Sequence, residues 1–168
     1  MSTPIQTATV ETPVGPFWLA ARDGALVAAG FADSGPRLLA RLEARFGPLE
    51  ASEASDPAGA VTALRRFLGG ELAALEAVPV DLGGTPFQRD VWTSLRGIPA
   101  GSTLTYAELA RRVGHPRAVR AVGAANGANP VSIVVPCHRV VGKDGLRGYA
   151  GGVARKEWLL AHEKATRG

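Results

Sequence analysis

A single cysteine followed by two basic side chains is the place where this sequence could carry out nucleophilic chemistry. The run is Pro136-Cys137-His138-Arg139, and Cys137 is the only cysteine in the chain. A thiol attacks as its thiolate, and a neighbouring imidazole or guanidinium favours that form. One cysteine can form neither an internal disulfide nor a multi-cysteine metal site. The sequence therefore leaves a reactive thiol or, as the commoner fate of a lone cysteine, a small buried hydrophobic side chain.

The backbone around the cysteine decides whether the imidazole can help it. Consecutive residues of a strand point to opposite faces, so a contact between Cys137 and His138 needs an irregular backbone or a bridging water. Pro136 favours such a turn. The last predicted helix, 153–164, carries Glu163 near its end, where a carboxylate could orient His138 in a Cys–His–Glu chain. From its position alone, Glu163 is more typical of a solvated surface charge.

The elements before the cysteine predict a pair of short helices. Thr85-Pro86 is a cap followed by proline, which opens a first helix. Thr105 to Glu108 fits a capping box, and the helix that it opens, 106–113, ends at Gly114. A second helix is predicted to begin near Pro116 and to run towards Gly127. The short turn between them makes a helix-turn-helix candidate, although many helical hairpins with this spacing bind nothing.

The first half of the chain predicts a small mixed α/β unit. Strands are expected over 5–10, 17–21 and 25–31, with Asp23-Gly24 as a hairpin turn. Helices are expected over 36–46 and from Asp56-Pro57 to Gly69, followed by one more strand at 78–82. Gly83-Gly84 is the candidate linker. The predicted fold class is α/β: an N-terminal mixed α/β supporting domain, 1–84, and a mostly helical C-terminal domain with the helix-turn-helix, 85–168.

The charge changes sign at the same linker. Residues 1–84 carry six basic and ten acidic side chains, a net charge of −4. Residues 85–168 carry 13 basic and five acidic side chains, a net charge of +8. A basic half of this kind favours a polyanion such as nucleic acid as its partner, although arginines also serve simply to solvate helices. The basic residues in and beside the predicted turn are Arg111, Arg112, Arg117 and Arg120.

Composition excludes several classes of protein. With 46% hydrophobic and 20% charged residues, the chain has the mix of a globular domain rather than a disordered one. No apolar run approaches the roughly 18 residues that a membrane span needs, and no secretory signal precedes the first predicted strand. A lone cysteine without a signal predicts a cytoplasmic protein.

The stretch 133–141, Ile-Val-Val-Pro-Cys-His-Arg-Val-Val, resembles the active-site signature of the O6-alkylguanine-DNA alkyltransferases, the methylated-DNA–protein-cysteine methyltransferases. The resemblance covers the whole C-terminal half, in the family's order. The N-terminal half is similar more loosely, through Pro13-Val14-Gly15-Pro16. The other matching segments are Thr85-Pro86-Phe87-Gln88, Arg120-Ala121-Val122-Gly123, Asn129-Pro130, Tyr149-Ala150-Gly151-Gly152 and Trp158-Leu159-Leu160-Ala161-His162-Glu163.

This resemblance implies chemical roles. Cys137 would accept the alkyl group from O6 of guanine in one displacement, irreversibly and with a single turnover. His138 would act as a general base through a water, and Glu163 would orient it. Tyr106 matches the tyrosine that donates to the base or to the leaving guanine and helps to rotate the nucleotide out. No cofactor or metal is implied.

The resemblance also implies residues that hold the DNA and the flipped base. Arg120 matches a finger inserted into the base stack, and Asn129 a hinge between the recognition helix and the active-site turn. The backbone at Cys137 and Val140 would read the guanine edge. The residues expected to contact DNA or the base are Arg120, Asn129, Arg139, Val140, Tyr149 and Ala150.

The implied partner is double-stranded DNA with alkylated bases, bound by a monomer that could cluster along DNA. Ala150 stands where some members have serine, so any hydroxyl contact there is lost. The resemblance leaves open whether O4-alkylthymine is accepted. Two rival functions stay open: a lesion-sensing or regulatory DNA-binding protein without alkyl transfer, and a cysteine hydrolase built on Cys137, His138 and Glu163.

Overall fold

The chain divides into two compact units, Met1–Gly83 and Gly84–Gly168. The structure is a computed structural model that describes residues 1–143, 145, 148, 149 and 151–167. The first unit is a mixed α/β unit and the second is mostly helical, which confirms the predicted fold class. Within the described residues, no helix is both long enough and apolar enough to cross a membrane.

The first unit is a four-stranded sheet in the order β3-β2-β1-β4. The strands are β1 (Thr3–Val10), β2 (Phe17–Arg22), β3 (Ala25–Phe31) and β4 (Leu49–Glu53). β2 is antiparallel to both β1 and β3, whereas β4 runs parallel to β1. Asp23 and Gly24 join β2 to β3 with φ of 50° and 79°, the two positive values that a tight hairpin turn requires.

Two helices complete this unit, α1 (Gly35–Phe46) and α2 (Ala60–Leu68). Buried side chains of α1 pack with inward residues of the sheet, and Trp18, Phe46 and Leu49 border that cluster. At about 25 cal/mol per Å² of apolar surface removed from water, such contacts are the main stabilising contribution. The buried cluster consists of Ile5, Ala20, Val27, Ala28, Leu38 and Leu42.

Three details of this unit differ from the sequence-based expectations. The expected strand at 78–82 is a single bridge between Leu26 and Val80, because Pro79 has no N–H with which to extend a ladder. β4 escaped prediction because its exposed Leu-Glu-Ala-Ser-Glu sequence has no alternating apolar pattern. The helix expected directly after Asp56 begins at Ala60, behind a 3-10 turn at Pro57–Gly59.

The second unit contains α3 (Pro86–Arg96), α4 (Tyr106–Arg112), α5 (Val119–Gly127) and α6 (Val153–Arg167). Two short parallel strands, β5 (Leu104–Thr105) and β6 (Val140–Val141), pair in register. The expected capping box closes the start of α4: Thr105 Oγ1 accepts from the Glu108 N–H at 3.1 Å, and the Glu108 carboxylate accepts from the Thr105 N–H at 3.1 Å.

The connection between α4 and α5 is longer than predicted. The second helix begins at Val119 rather than near Pro116, so residues 113–118 form the turn. Gly114 has φ of 81°, and the Ala118 N–H donates to the His115 carbonyl at 2.9 Å. Because of this bond, the segment just before Val119 forms a turn of its own, although the sequence predicted that it belongs to the second helix.

Candidate active site and DNA-binding surface

The reactive cysteine lies in a buried irregular turn, as Pro136 predicts. Residues 131–140 are all buried, and Cys137–Arg139 form one turn of 3-10 helix. The Cys137 N–H donates to the Val135 carbonyl at 2.8 Å. Ile133 has φ of 68°, which is strained for a β-branched residue. Such strain persists only where the surrounding contacts fix the backbone, which is typical of functional sites.

Asn129 fixes this turn from within. Its Nδ2 donates to the Val135 carbonyl at 2.7 Å, and its Oδ1 accepts from the Val131 N–H at 3.0 Å. One side chain thus bonds to both ends of the segment that leads from α5 to the cysteine. This placement suits the hinge role implied for Asn129.

His138 and Glu163 form a buried pair. His138 Nε2 lies 2.8 Å from Glu163 Oε2, and both side chains are fully buried. Burial lowers the pKa of His138, although Glu163 opposes the shift. A neutral imidazole that donates from Nε2 to the carboxylate carries its lone pair on Nδ1. Among the described residues, Nδ1 has no hydrogen-bond partner, so it is the atom available to take a proton.

Arg139 belongs to the same network. Its Nε and one terminal nitrogen donate to Glu163 at 3.0 and 2.8 Å, and its other terminal nitrogen donates to the Ile98 carbonyl at 2.7 Å. Burial acts to raise the pKa of Glu163, but His138 and Arg139 outweigh it and hold the value at about 2. Arg139 was expected at the DNA surface; with only 7% of the residue exposed, we assign it to this internal network instead.

The thiol itself is protonated at rest. Burial raises the pKa of Cys137, and the Asn129 amide and the Lys156 ammonium only partly oppose the shift. No hydrogen bond joins the Cys137 sulfur to the His138 ring within the described part of the chain. The thiolate must therefore form when a reactant arrives. His138, the next residue in the sequence, can accept the thiol proton.

Lys156 and Asn126 are two site residues that sequence reasoning missed. Lys156 is fully buried on α6, and its Nζ donates to the Val140 carbonyl at 2.6 Å. A signal existed, because Lys156 lies seven residues before Glu163 and therefore on the same helix face. Asn126, buried on α5, donates from Nδ2 to the Cys137 carbonyl at 3.4 Å. No pattern in the sequence distinguishes Asn126 from any other polar residue near the C-terminal end of a helix.

Three further predicted residues, Tyr149, Tyr106 and Arg120, differ in burial. Tyr149 has a buried hydroxyl group, whose pKa is raised well above its usual value by burial and by Cys137. Tyr106 is half-buried at the first turn of α4, where it lines a cavity of about 520 Å³ with Arg111, Val119 and Lys143. Arg120 is exposed on α5 and is not part of the buried network. Ala150 lies outside the described residues.

The basic side chains near the turn are exposed. All four arginines singled out from the sequence are solvent-exposed and lie on α4, on α5 or in the connection between them. Exposed guanidinium groups of this kind can contact phosphates without reading base identity. The four exposed arginines are Arg111, Arg112, Arg117 and Arg120.

Comparisons with known families match both units. Residues 86–165 match the DNA binding domain of 6-O-methylguanine DNA methyltransferase, and residues 5–82 match its ribonuclease-like domain. The methylated-DNA–protein-cysteine methyltransferase of Shigella flexneri is 46% identical over 158 residues, which is 92% of each chain. That of Salmonella typhimurium is 48% identical over 159 residues, again 92% of each chain.

Solved structures show the same similarity. Mycobacterium tuberculosis OGT in complex with DNA matches with a TM-score of 0.82 and 39% identity, over 98% of this chain and 94% of that chain. The O6-methylguanine-DNA methyltransferase of Pyrococcus kodakaraensis matches with a TM-score of 0.69 and 25% identity, over 95% and 98% of the two chains.

Proposed function

The chain belongs to the 6-O-methylguanine DNA methyltransferase family, and from this premise we propose that Cys137 is the residue that receives the alkyl group. The protein binds DNA and repairs it by transferring an alkyl group to its own cysteine. Cys137 is the only cysteine that can serve.

The observation that carries this assignment is the buried pair of His138 and Glu163, in which His138 directly follows Cys137 in the same 3-10 turn. His138 Nδ1 takes the thiol proton through a water, and the 2.8 Å contact with Glu163 stabilises the imidazolium that forms. The sulfur attacks the alkyl carbon, a C–S bond forms, and the bond between that carbon and O6 of guanine breaks. The leaving guanine keeps the electron pair and takes up a proton, so nothing is oxidised or reduced.

The surrounding residues give the thiol access to the base. An alkyl carbon inside a duplex can be reached only if the nucleotide is rotated out, which costs a few kcal/mol. Arg120 is exposed on α5, and we propose that its side chain fills the gap in the stack. Tyr106, at the start of α4, assists the rotation and donates to the leaving base. Tyr149 forms a wall of the pocket, and the backbone at Cys137 and Val140 reads the guanine edge.

The reaction ends with the protein inactive. The product is a thioether, and a thioether does not readily release its thiolate. We therefore propose one transfer per molecule, with no cofactor. The proposed ligand is duplex DNA with an alkylated base, bound by a cytoplasmic monomer that can cluster along DNA.

The test is the intact mass of the protein after incubation with a duplex that contains one O6-methylguanine. We expect a gain of one methyl group that maps to Cys137 and saturates at one per protein. The matched control is Cys137→Ser, which should bind the duplex with unchanged affinity and gain no mass.

Other outcomes assign the protein to the rival functions. Binding of the lesion without any mass gain would indicate a sensor or regulator. Repeated turnover of an ester substrate, abolished by Cys137→Ser, would indicate a hydrolase. Transfer to a residue other than Cys137 would overturn the assignment of the acceptor.

A further inference from the structure

The first unit contains a cavity that the proposed mechanism does not use. Its volume is about 400 Å³, which lies within the range of small-molecule sites. Its walls come from β1, from Trp18 of β2, from the end of β4 with the segment that follows, and from α2. The cavity therefore involves none of the residues of the proposed alkyl transfer.

Six side chains that line the cavity carry hydrogen-bonding groups without a protein partner. Three of these groups are hydroxyls, and the others are an indole N–H, a carboxylate and a guanidinium. No hydrogen bond or ion pair joins any of them to another described residue. Polar groups that converge on a cavity in this way are available to a ligand. The six residues are Thr7, Thr9, Trp18, Glu53, Ser55 and Arg65.

The edge of β1 adds unpaired backbone groups to the same place. β4 pairs with β1 only as far as Glu53 and Thr7, and the Ala54 N–H donates to the Thr7 carbonyl at 2.9 Å. Peptide groups of alternate residues point to the same side of a strand, so those of Thr9 point to the side where β4 has ended. Neither the N–H nor the C=O of Thr9 has a hydrogen-bond partner in the part of the chain that the structure describes. An edge of this kind can pair with a further extended segment.

The cavity wall also carries one charge of each sign. Glu53 and Arg65 are both exposed, and no ion pair joins them. The Asp56 carboxylate attracts Arg65 electrostatically, but its hydrogen bonds are made with Val61 and Thr62. Glu53 and Arg65 are thus each open to a ligand group of opposite charge.

These groups together match a short peptide with two charged ends. Its ammonium group matches Glu53, its carboxylate matches Arg65, and its own N–H and C=O match those of Thr9. An apolar side chain of the peptide can pack against Trp18 and Val61. A nucleoside monophosphate fits less well, because its phosphate carries nearly two negative charges and would meet a single guanidinium beside a carboxylate.

We propose that this cavity binds a peptide of about two residues with free termini, in extended conformation along the open edge of β1. A segment in the line of β4 runs parallel to β1, so its amino end lies nearest Glu53 and Arg65 binds its carboxylate. The site is separate from the alkyl transfer in both its residues and its ligand.

Isothermal titration calorimetry of the full chain with the dipeptide alanyl-leucine tests this proposal. We expect saturable binding of one dipeptide per protein. N-acetyl-alanyl-leucine lacks the ammonium group, and alanyl-leucine amide lacks the carboxylate. Each should bind about tenfold more weakly, because one charge-assisted hydrogen bond is lost.

Variants of the protein assign the two ends of the dipeptide. Glu53→Gln and Arg65→Gln should each weaken the binding of alanyl-leucine by about tenfold. Each variant should bind the dipeptide that lacks the matching charge as well as the wild-type protein does. The matched controls are Glu50→Gln on β4 and Arg66→Gln on α2, which are exposed outside the cavity and should leave binding unchanged.

Three results would overturn the proposal. The first is the absence of binding at millimolar concentrations of alanyl-leucine. The second is binding that does not respond to blocked termini or to the substitutions of Glu53 and Arg65. The third is tighter binding of guanosine monophosphate than of alanyl-leucine, which would show that the ligand is not a peptide.

Discussion

At the scale of the residue, the proposed mechanism assigns nucleophilic attack to Cys137 and acceptance of the thiol proton to His138. Burial keeps Cys137 as a thiol and keeps His138 neutral, because charged groups are poorly solvated there. Glu163 stays ionised in the same environment because Arg139 and His138 surround it. At rest, the Cys137 thiol and the His138 imidazole are therefore both neutral. The negative charge of Glu163 is balanced by the positive charge of Arg139.

Glu163→Gln should reveal the stability that this ion pair supplies. The pKa of Glu163 is about 2 in the folded protein and 4.5 in its ordinary state. The folded state binds the proton less tightly than the unfolded state, so the stabilisation is complete above about pH 4.5 and is lost as the pH falls towards 2. At about 1.4 kcal/mol per pKa unit, the variant should unfold about 3 kcal/mol more easily at pH 7.

Urea unfolding of both proteins between pH 7 and pH 2 measures this effect. The difference in free energy of unfolding should shrink below pH 4.5. The control is Glu157→Gln, at an exposed position of the same helix, which should show little difference at any pH. A Glu163→Gln deficit that stays constant down to pH 2 would show that the carboxylate charge is not its source.

At the scale of the element, short-range bonds place the helix that carries Tyr106. α4 has only seven residues, and an isolated helix of that length is unstable in water. Its capping box satisfies two backbone donors that would otherwise be unpaired. Packing against α5, where Gly123 faces the Tyr106 ring, supplies the rest.

Thr105→Ala should lower the free energy of unfolding by about 1 kcal/mol, because the side-chain acceptor for the Glu108 N–H is lost. Urea unfolding at neutral pH measures the change. Thr103→Ala is the matched control: it removes a hydroxyl from an exposed residue just before the helix and should be nearly neutral. Equal effects of the two substitutions would mean that the cap does not stabilise α4.

At the scale of the whole molecule, the two halves of the chain carry net charges of opposite sign. The first half has a net charge of −4 and the second a net charge of +8. The basic side chains around the α4–α5 connection are exposed, so they are available to phosphates. Contacts of this kind raise affinity for any sequence, which suits a protein whose target base can occur anywhere.

Arg117→Ala should weaken binding to an undamaged duplex and to a duplex with O6-methylguanine by a similar factor. It should also lower the slope of log affinity against log salt concentration by about one, since one phosphate contact releases about one counterion. Fluorescence anisotropy at several salt concentrations measures both quantities. Arg37→Ala, exposed on the first unit, should leave the slope unchanged, and an unchanged slope for Arg117→Ala would exclude a phosphate contact there.

Local signals in the sequence were sufficient to predict most of the elements. Caps, hairpin turns and apolar periodicity act between residues a few positions apart, so they predicted β1 to β3, α1, α3 and the start of α4. The single cysteine with its neighbours also pointed to the residue that we propose as the acceptor. The sequence did not predict β4 or the late start of α5. The conformation of β4 depends on its pairing with β1, and the start of α5 depends on hydrogen bonds in the preceding turn, so their own side chains carry little signal.

Tertiary structure alone decided which polar groups meet. Glu163 is 25 residues from His138, and its position in the sequence is more typical of a solvated charge. Only folding removes the Glu163 carboxylate from water and pairs it with the side chains of His138 and Arg139. The same pairing places Arg139 in the interior. Lys156 and Asn126 contact backbone carbonyls, which are identical in every residue. Such contacts leave no complementary pattern in the sequence, because the partner is selected by position in space and not by side-chain type.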